Sequence, residues 1–219
     1  MGIMAAHQIA TPNPAFKRDV AKAQAPLNWV MRHEGVRLVI RCSVFIATSL
    51  DGFIARKNGD LDWLPGSDGG TGSEDYGFHE FFTSIDTLVM GRNTYELALT
   101  FKEWPYHGKS VVVLSSRFPK VPTNLAEGVE GTSLSPKELV HRLAASGSAH
   151  VYVDGGKTIQ SFLQANLIQE MTITRIPILI GEGISLFGAL PHDIKLQHLA
   201  TRAFENGFVQ SRYKVTNAV

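Results

Sequence analysis

His150-Val151-Tyr152-Val153-Asp154-Gly155-Gly156-Lys157-Thr158-Ile159-Gln160-Ser161-Phe162-Leu163 reads as a strand, a glycine turn and the start of a helix. An apolar, β-rich run over 150–153 that stops at paired glycines fits a buried strand, and 157–165 fits a helix. Two other segments share this form. Thr87 to Met90 is a short strand, followed by Gly91-Arg92-Asn93-Thr94 and a helix over 93–100. Ser110 to Leu114 is nearly pure valine, as in a strand covered on both faces, and runs into Ser115-Ser116-Arg117.

The rest of the chain follows the same alternation. Val36 to Ala47 is a candidate buried strand, with turns at Asp51-Gly52 and Asn58-Gly59. Ser73 to Ser84 is expected to be a helix, Ser73 its N-cap and Glu74 and Asp75 in its first turn. A helix over 135–146 opens on Ser135-Pro136, with Glu138 at the third helical position. Glu170 to Ile180 is a long β-branched run and Phe208 to Val215 a final strand. The pattern predicts an α/β fold with a mostly parallel central sheet and antiparallel strands at its C-terminal edge.

With 219 residues the chain suits one domain and an appendage. Residues 1–36 are expected to be an N-terminal extension, broken by Pro12, Pro14 and Pro26, with a short helix over 19–25; residues 37–219 form the domain. Lys and Arg number 21 against 20 Asp and Glu. That balance gives no electrostatic reason for a nucleic acid or an acidic membrane as partner. No run of 18 apolar residues and no secretory signal occurs, so the cytoplasm is the expected compartment. The one cysteine, Cys42, excludes an internal disulfide framework and a multi-thiolate zinc site; no metal is expected.

Several motifs fail on inspection. Gly155-Gly156-Lys157-Thr158 resembles a P-loop, but Val151 stands where the first glycine belongs. His79-Glu80 begins a metalloprotease string that Thr83 breaks. Neither G-x-S-x-G nor G-x-G-x-x-G is present.

What survives is the set of three strand ends. In an open α/β sheet, ligands sit beyond the carboxyl ends of the strands. Arg92, Arg117 and Lys157 supply cations there, and Thr94, Ser115 and Ser116 supply hydroxyls. Glycines let a backbone come close to a phosphate, and helix starts offer free N–H groups. Each segment alone has a plain structural alternative, a helix cap or a turn. Jointly they favour a ligand with several phosphates, such as NADPH.

These residues carry a resemblance. Ala47-Thr48-Ser49-Leu50-Asp51-Gly52-Phe53-Ile54-Ala55, Leu61-Asp62-Trp63-Leu64, Val89 to Glu96, Val153-Asp154-Gly155-Gly156, and Pro177 to Gly183 with Phe187 occur in one order and spacing. Across about residues 36–216 the chain resembles the dihydrofolate-reductase-like superfamily, particularly the reductase domain of the riboflavin-biosynthesis deaminase/reductase and its stand-alone relatives. The resemblance implies NADPH lying across a central sheet with helices on both faces. Ala47, Gly91, Arg92, Asn93, Thr94, Ser115, Ser116, Arg117, Asp154, Gly155, Gly156, Lys157 and Thr158 would hold it, with a cis peptide between the paired glycines. It places Ser49, Asp51, Trp63, Gly181 and Gly183 beside the substrate. Asp75, Asp51 and Trp63 become catalytic candidates, Trp63 in a loop that closes over the nicotinamide. Asp75 and Glu74 equally fit the first turn of a helix, and Asp51-Gly52 a simple turn.

The implied activity is NADPH-dependent reduction of a carbon–nitrogen double bond in a pyrimidine or pterin-like small molecule, such as a 5-amino-6-(5-phosphoribosylamino)uracil. The alternatives are a dihydrofolate reductase and a non-catalytic nucleotide-binding protein on the same fold. The family's zinc deaminase needs cysteines that this chain lacks. Relatives commonly form homodimers, for which Ile173 to Ile180 offer a surface.

Overall fold

The computed structural model describes residues 29–33, 36–65, 74–117 and 120–216. The helix expected over 19–25 and the cap Ser73 lie outside them. The strands are β1 (Trp29–His33), β2 (Val36–Ser49), β3 (Phe53–Ala55), β4 (Thr87–Gly91), β5 (Ser110–Leu114), β6 (Val129–Thr132), β7 (His150–Asp154), β8 (Glu170–Ile176), β9 (Ile184–Ser185), β10 (Lys195–Ala203) and β11 (Val209–Thr216). The helices are α1 (Phe78–Ser84), α2 (Arg92–Ala98), α3 (Pro136–Ala145) and α4 (Gly156–Gln164).

The main sheet runs β10-β11-β8-β2-β7-β4-β5-β6. From β8 to β6 every neighbouring pair is parallel; β11 and β10 add antiparallel at the far edge. β1, within the stretch expected to be an extension, forms a hairpin with the start of β2. β3 and β9 make a separate two-stranded sheet.

Alternation along β2 and β7 divides the core in two. Ile40, Cys42, Val44, Ile46, Val151 and Val153 face α3 and α4. Phe45 and Tyr152 face α1, with Phe78 and Phe82, beside Met90 and Tyr95. β4 and β5 serve both halves, Leu88, Met90 and Val113 on the α1 side and Val89 on the other, all at 0 % exposure, which is why these strands are continuous apolar runs rather than alternating ones.

Local chemistry sets the helix ends. The Ser135 hydroxyl accepts from Glu138 N, and the Glu138 carboxylate accepts from Ser135 N, a complete capping box. Gly147 at φ +92° then closes α3 as Ser148 N reaches back to Leu143 O. Asn166, at φ +57°, ends α4 in the same way.

Some expectations shift. α1 begins at Phe78, not near Ser73, because Tyr76 and Gly77 have positive φ, 56° and 80°, which no helix continues through. Glu74 and Asp75 therefore precede the helix. β8 ends at Ile176, since Pro177 has no N–H to extend a ladder. β6, β10 and the β3–β9 pair were not foreseen. β6 is four residues with Glu130-Gly131 inside it, and β10 is exposed along its whole length, so neither shows an apolar pattern. No helix among the described residues is long and apolar enough to cross a membrane.

Candidate active site

The three strand ends meet. Register pairs Met90 with Asp154 and Gly91 with Leu114, so β7, β4 and β5 stop side by side. Adjacent strands lie about 4.8 Å apart, which sets Gly155, Gly91 and Ser115 along one rim. The contact is reciprocal at its centre. A β-carbon on Gly155 would overlap Thr94 Oγ1, and one on Gly91 would stand 3.0 Å from Thr158 Oγ1. Gly155 reaches this approach at φ +88°, with all described peptide bonds trans; the expected cis bond after it is not present.

Neither α2 nor α4 has a side-chain cap, in contrast to α3. Their first N–H groups are left for a ligand or solvent. Arg92 stands 3.5 Å from Glu96, one turn on, with 39 % of its side chain exposed. Lys157, Ser116 and Arg117 are exposed, and Ser115 Oγ accepts from Arg117 N at 3.1 Å. Thr158 is buried at the contact.

Beside this rim β2 and β7 part. β2 and β7 are paired only from Arg41↔His150 to Ser43↔Tyr152, yet β2 runs on to Ser49 and β7 to Asp154. β2 leads on toward α1, on one face of the sheet, and β7 into α4 on the other. Neighbouring strands whose connections leave to opposite faces make a topological switch point, where such sheets bind ligands. Ala47, on the α1 face of β2, is 2 % exposed and packs with Trp63 and Ile176.

Asp154, at the end of β7, is the site's most unusual group. Its side chain shares the α1 face with Tyr152 and is 3 % exposed. Oδ1 accepts from Gly155 N at 2.8 Å, while Oδ2 has no hydrogen-bond partner. Burial pushes its pKa up to about 6. The buried phenols of Tyr106 and Tyr152 sense it: burial first, then the Asp154 charge, raises both. Tyr152 Oη donates to Phe45 O at 2.9 Å; Tyr106 Oη is unpaired. The sequence assigned Asp154 only to cofactor binding. Its position two residues beyond Tyr152, on a strand recognised as buried, was the signal for more.

The substrate-side residues lie on the neighbouring loops. Asp51 is tied down: Ser49 Oγ donates to it at 2.5 Å, Gly181 N at 2.8 Å and Ile180 N at 3.2 Å. The Ser49 bond, with the backbone donors behind it, lowers the Asp51 pKa. Gly183 lets β9 press against Ala55 O of β3. That small sheet rests on α4, with Ile54 Cδ1 3.0 Å and Ser185 O 3.2 Å from where a Gly156 β-carbon would be. Trp63 is 7 % exposed and packed with Ala47, Leu64, Ile176 and Phe208, its Nε1 unpartnered. It stands in the core beside Ala47 rather than on an exposed flap. Both Asp75 oxygens are engaged by α1, accepting from Gly77 N and His79 N at 2.9 Å each.

Residues 42–210 match the RibD C-terminal domain. The chain belongs to that family. It is 32 % identical over 164 residues to the uncharacterized protein YwjB of Bacillus subtilis, covering 74 % of this chain and 90 % of the relative. A crystal structure from Shewanella sp. PV-4, provisionally assigned to riboflavin biosynthesis, matches at a TM-score of 0.75 and 40 % identity, over 81 % of this chain and all of that one. A pyrimidine reductase-like protein of Corynebacterium diphtheriae shares the fold at a TM-score of 0.59 and 17 % identity, covering 82 % and 93 %. The RibD-type likeness makes this a reductase-like domain with a dihydrofolate-reductase-like fold.

Proposed function

We propose that this protein is an NADPH-dependent reductase of a carbon–nitrogen double bond in a small heterocycle. The observation that carries this reading is the meeting of Gly155 with Thr94, and of Gly91 with Thr158, at the ends of adjacent strands. A cradle too tight for a β-carbon, with uncapped helix starts and Arg92, Arg117 and Lys157 around it, fits the phosphates of a dinucleotide. NADPH, when bound, supplies a hydride.

The chain's own part is to hold the acceptor where β2 and β7 part, keep water out and provide a proton. As the acceptor carbon gains hydride, its nitrogen gains a proton, and the double bond becomes a C–H and an N–H. Asp154 is the group for that proton. It is buried, one oxygen is free, and a pKa near 6 keeps an appreciable protonated fraction close to neutrality. Asp51 and Asp75 have their oxygens committed to backbone N–H groups and, for Asp51, the Ser49 hydroxyl, so they serve as positioning residues for the 180–181 backbone and α1. Ala47 and Trp63 line the acceptor side.

Adding NADPH should raise the melting temperature and quench tryptophan fluorescence. With NADPH present, oxidation at 340 nm is then compared for a ribosylaminouracil phosphate and for dihydrofolate. The absence of both quenching and a melting shift at millimolar NADPH would sink the proposal. A homodimer belongs to the same reading, but not through the expected Ile173 to Ile180: β8 lies inside the sheet between β2 and β11 with Ile176 buried, whereas Leu196 and Leu199 stand 42 % and 38 % exposed on the edge strand β10, and light scattering tests it.

A further inference from the structure

We propose that the cavity between α1 and the antiparallel edge of the sheet is a second ligand site, one that binds a small zwitterion of the amino-acid class. It stands apart from the reductase reading and does not depend on it.

The cavity measures about 480 Å³, within the range of small-molecule sites. β2 and β7 enter it near their starts, at Arg41, Ser43 and His150, whereas the dinucleotide rim and Asp154 lie at the other end of β7. None of the groups assigned to the dinucleotide or to proton delivery lines it. Association through Leu196 leaves it open, because Leu196 pairs with Val215, which packs on the α3–α4 side of the sheet.

Its walls carry unpaired charges of both signs. Glu170 of β8 lies beside Ser43 in the register, diagonal to Arg41 on the same face; Arg212 of β11 stands opposite Thr172, two residues further along β8. Yet Glu170 makes no ion pair within 4 Å among the described residues, and neither do Arg41, Arg212 or Glu80 of α1. Lys214, opposite Glu170 on β11, is also without one and lies outside the lining. Arg41 Nη2 donates instead to His150 Nδ1 at 2.8 Å, and His150 Nε2 then donates to Ser43 Oγ at 2.9 Å. Burial, then the Arg41 charge, holds the His150 pKa down to about 4, so the ring gives the guanidinium an acceptor and no countercharge. Asp86, behind His150, accepts from the Ala149 and His150 N–H groups and does not line the cavity. The remaining cation, Arg202, is engaged 3.4 Å from Glu74 and 4.4 Å over the Phe204 ring.

Arg41 and Arg212 therefore face Glu80 and Glu170 across one cavity with neither pair neutralised. An anionic guest meets the glutamates and a cationic guest the arginines. A guest with a carboxylate and an ammonium on neighbouring atoms satisfies both, the first forked by a guanidinium and the second held by a carboxylate. Beneath the charges the floor is aromatic: Phe45 and Phe81 stack at 5.0 Å, with His150 edge-on to Phe81 at 5.8 Å. That surface suits an apolar side chain on the guest.

Calorimetry on the full chain tests this with three compounds that share a ring and differ in charge: L-phenylalanine, 3-phenylpropionate and phenethylamine. L-Phenylalanine should bind about tenfold tighter than either singly charged compound. Arg212→Gln should abolish its advantage over phenethylamine, and Glu170→Gln its advantage over 3-phenylpropionate, with NADPH binding unchanged in both. The ranking on the wild type stands even where a variant folds poorly. No binding of L-phenylalanine up to about 10 mM overturns the proposal, as does equal affinity for the three compounds. A preference that neither substitution alters, or competition between L-phenylalanine and NADPH, places the guest elsewhere and overturns it too.

Discussion

Gly155 and Thr94 leave no room for a β-carbon between them: one on the first would overlap Oγ1 of the second. Gly155 belongs to the turn after β7 and Thr94 to α2, 61 positions earlier. One side chain therefore polices the approach of two strand ends.

Gly155→Ala combines this overlap with a φ of +88°, and should cost about 1–3 kcal/mol and most of the dinucleotide affinity. Thr94→Ala removes the overlapping oxygen but not the backbone strain. The double variant should recover part of the lost stability, giving a coupling of roughly 0.5–2 kcal/mol in a thermal or urea cycle. Strict additivity would mean the two residues do not press on each other.

Asp154→Asn should lower kcat by about 100-fold or more if Asp154 supplies the proton. The same change should stabilise the protein at pH 7. A carboxyl whose folded pKa is raised from 3.8 to about 6 holds its proton more tightly in the native state. Its stabilising effect is full below pH 3.8 and is lost as pH rises through 6, at an upper bound of about 3 kcal/mol. Activity falling while the melting temperature rises separates a catalytic role from a structural one.

His150 has the opposite sign. It is buried at the start of β7, with Nε2 2.9 Å from Ser43 Oγ and Nδ1 2.8 Å from Arg41 Nη2. Burial, then the Arg41 charge, brings its pKa from 6.5 down to about 4. The unfolded chain binds the proton first, so stability is full above pH 6.5 and falls as pH drops toward 4, again by up to about 3 kcal/mol. Between pH 4 and 6 the two groups oppose each other. The wild type should show a shallow dependence of the urea midpoint there, and Asp154→Asn a steep acid decline. A parallel pair of curves would contradict the assignment.

Asp75→Ala removes both acceptors at the start of α1 and should cost about 1 kcal/mol, the usual worth of a helix cap. Its kcat should stay within about threefold of wild type. A loss as large as that of Asp154→Asn, with stability unchanged, would return the acid role to Asp75.

The chain order of elements by itself dictates the parallel sheet. Valine runs such as Ser110–Leu114, the Ser135-Pro136 helix start and the glycine pair each have a local cause, in side-chain branching, capping and backbone freedom, and each lies where expected. What depends on residues far apart was not legible. Asp51 reads as a turn residue until the 180–181 backbone arrives to bind it. Trp63 reads as a loop residue until Ala47, Ile176 and Phe208 close around it. Asp154 reads as one more cleft residue until burial on a strand interior removes its solvent and raises its pKa. Local propensity is written in a few consecutive residues. Desolvation, charge pairing and the splay of β2 from β7 come from neighbours that only packing supplies.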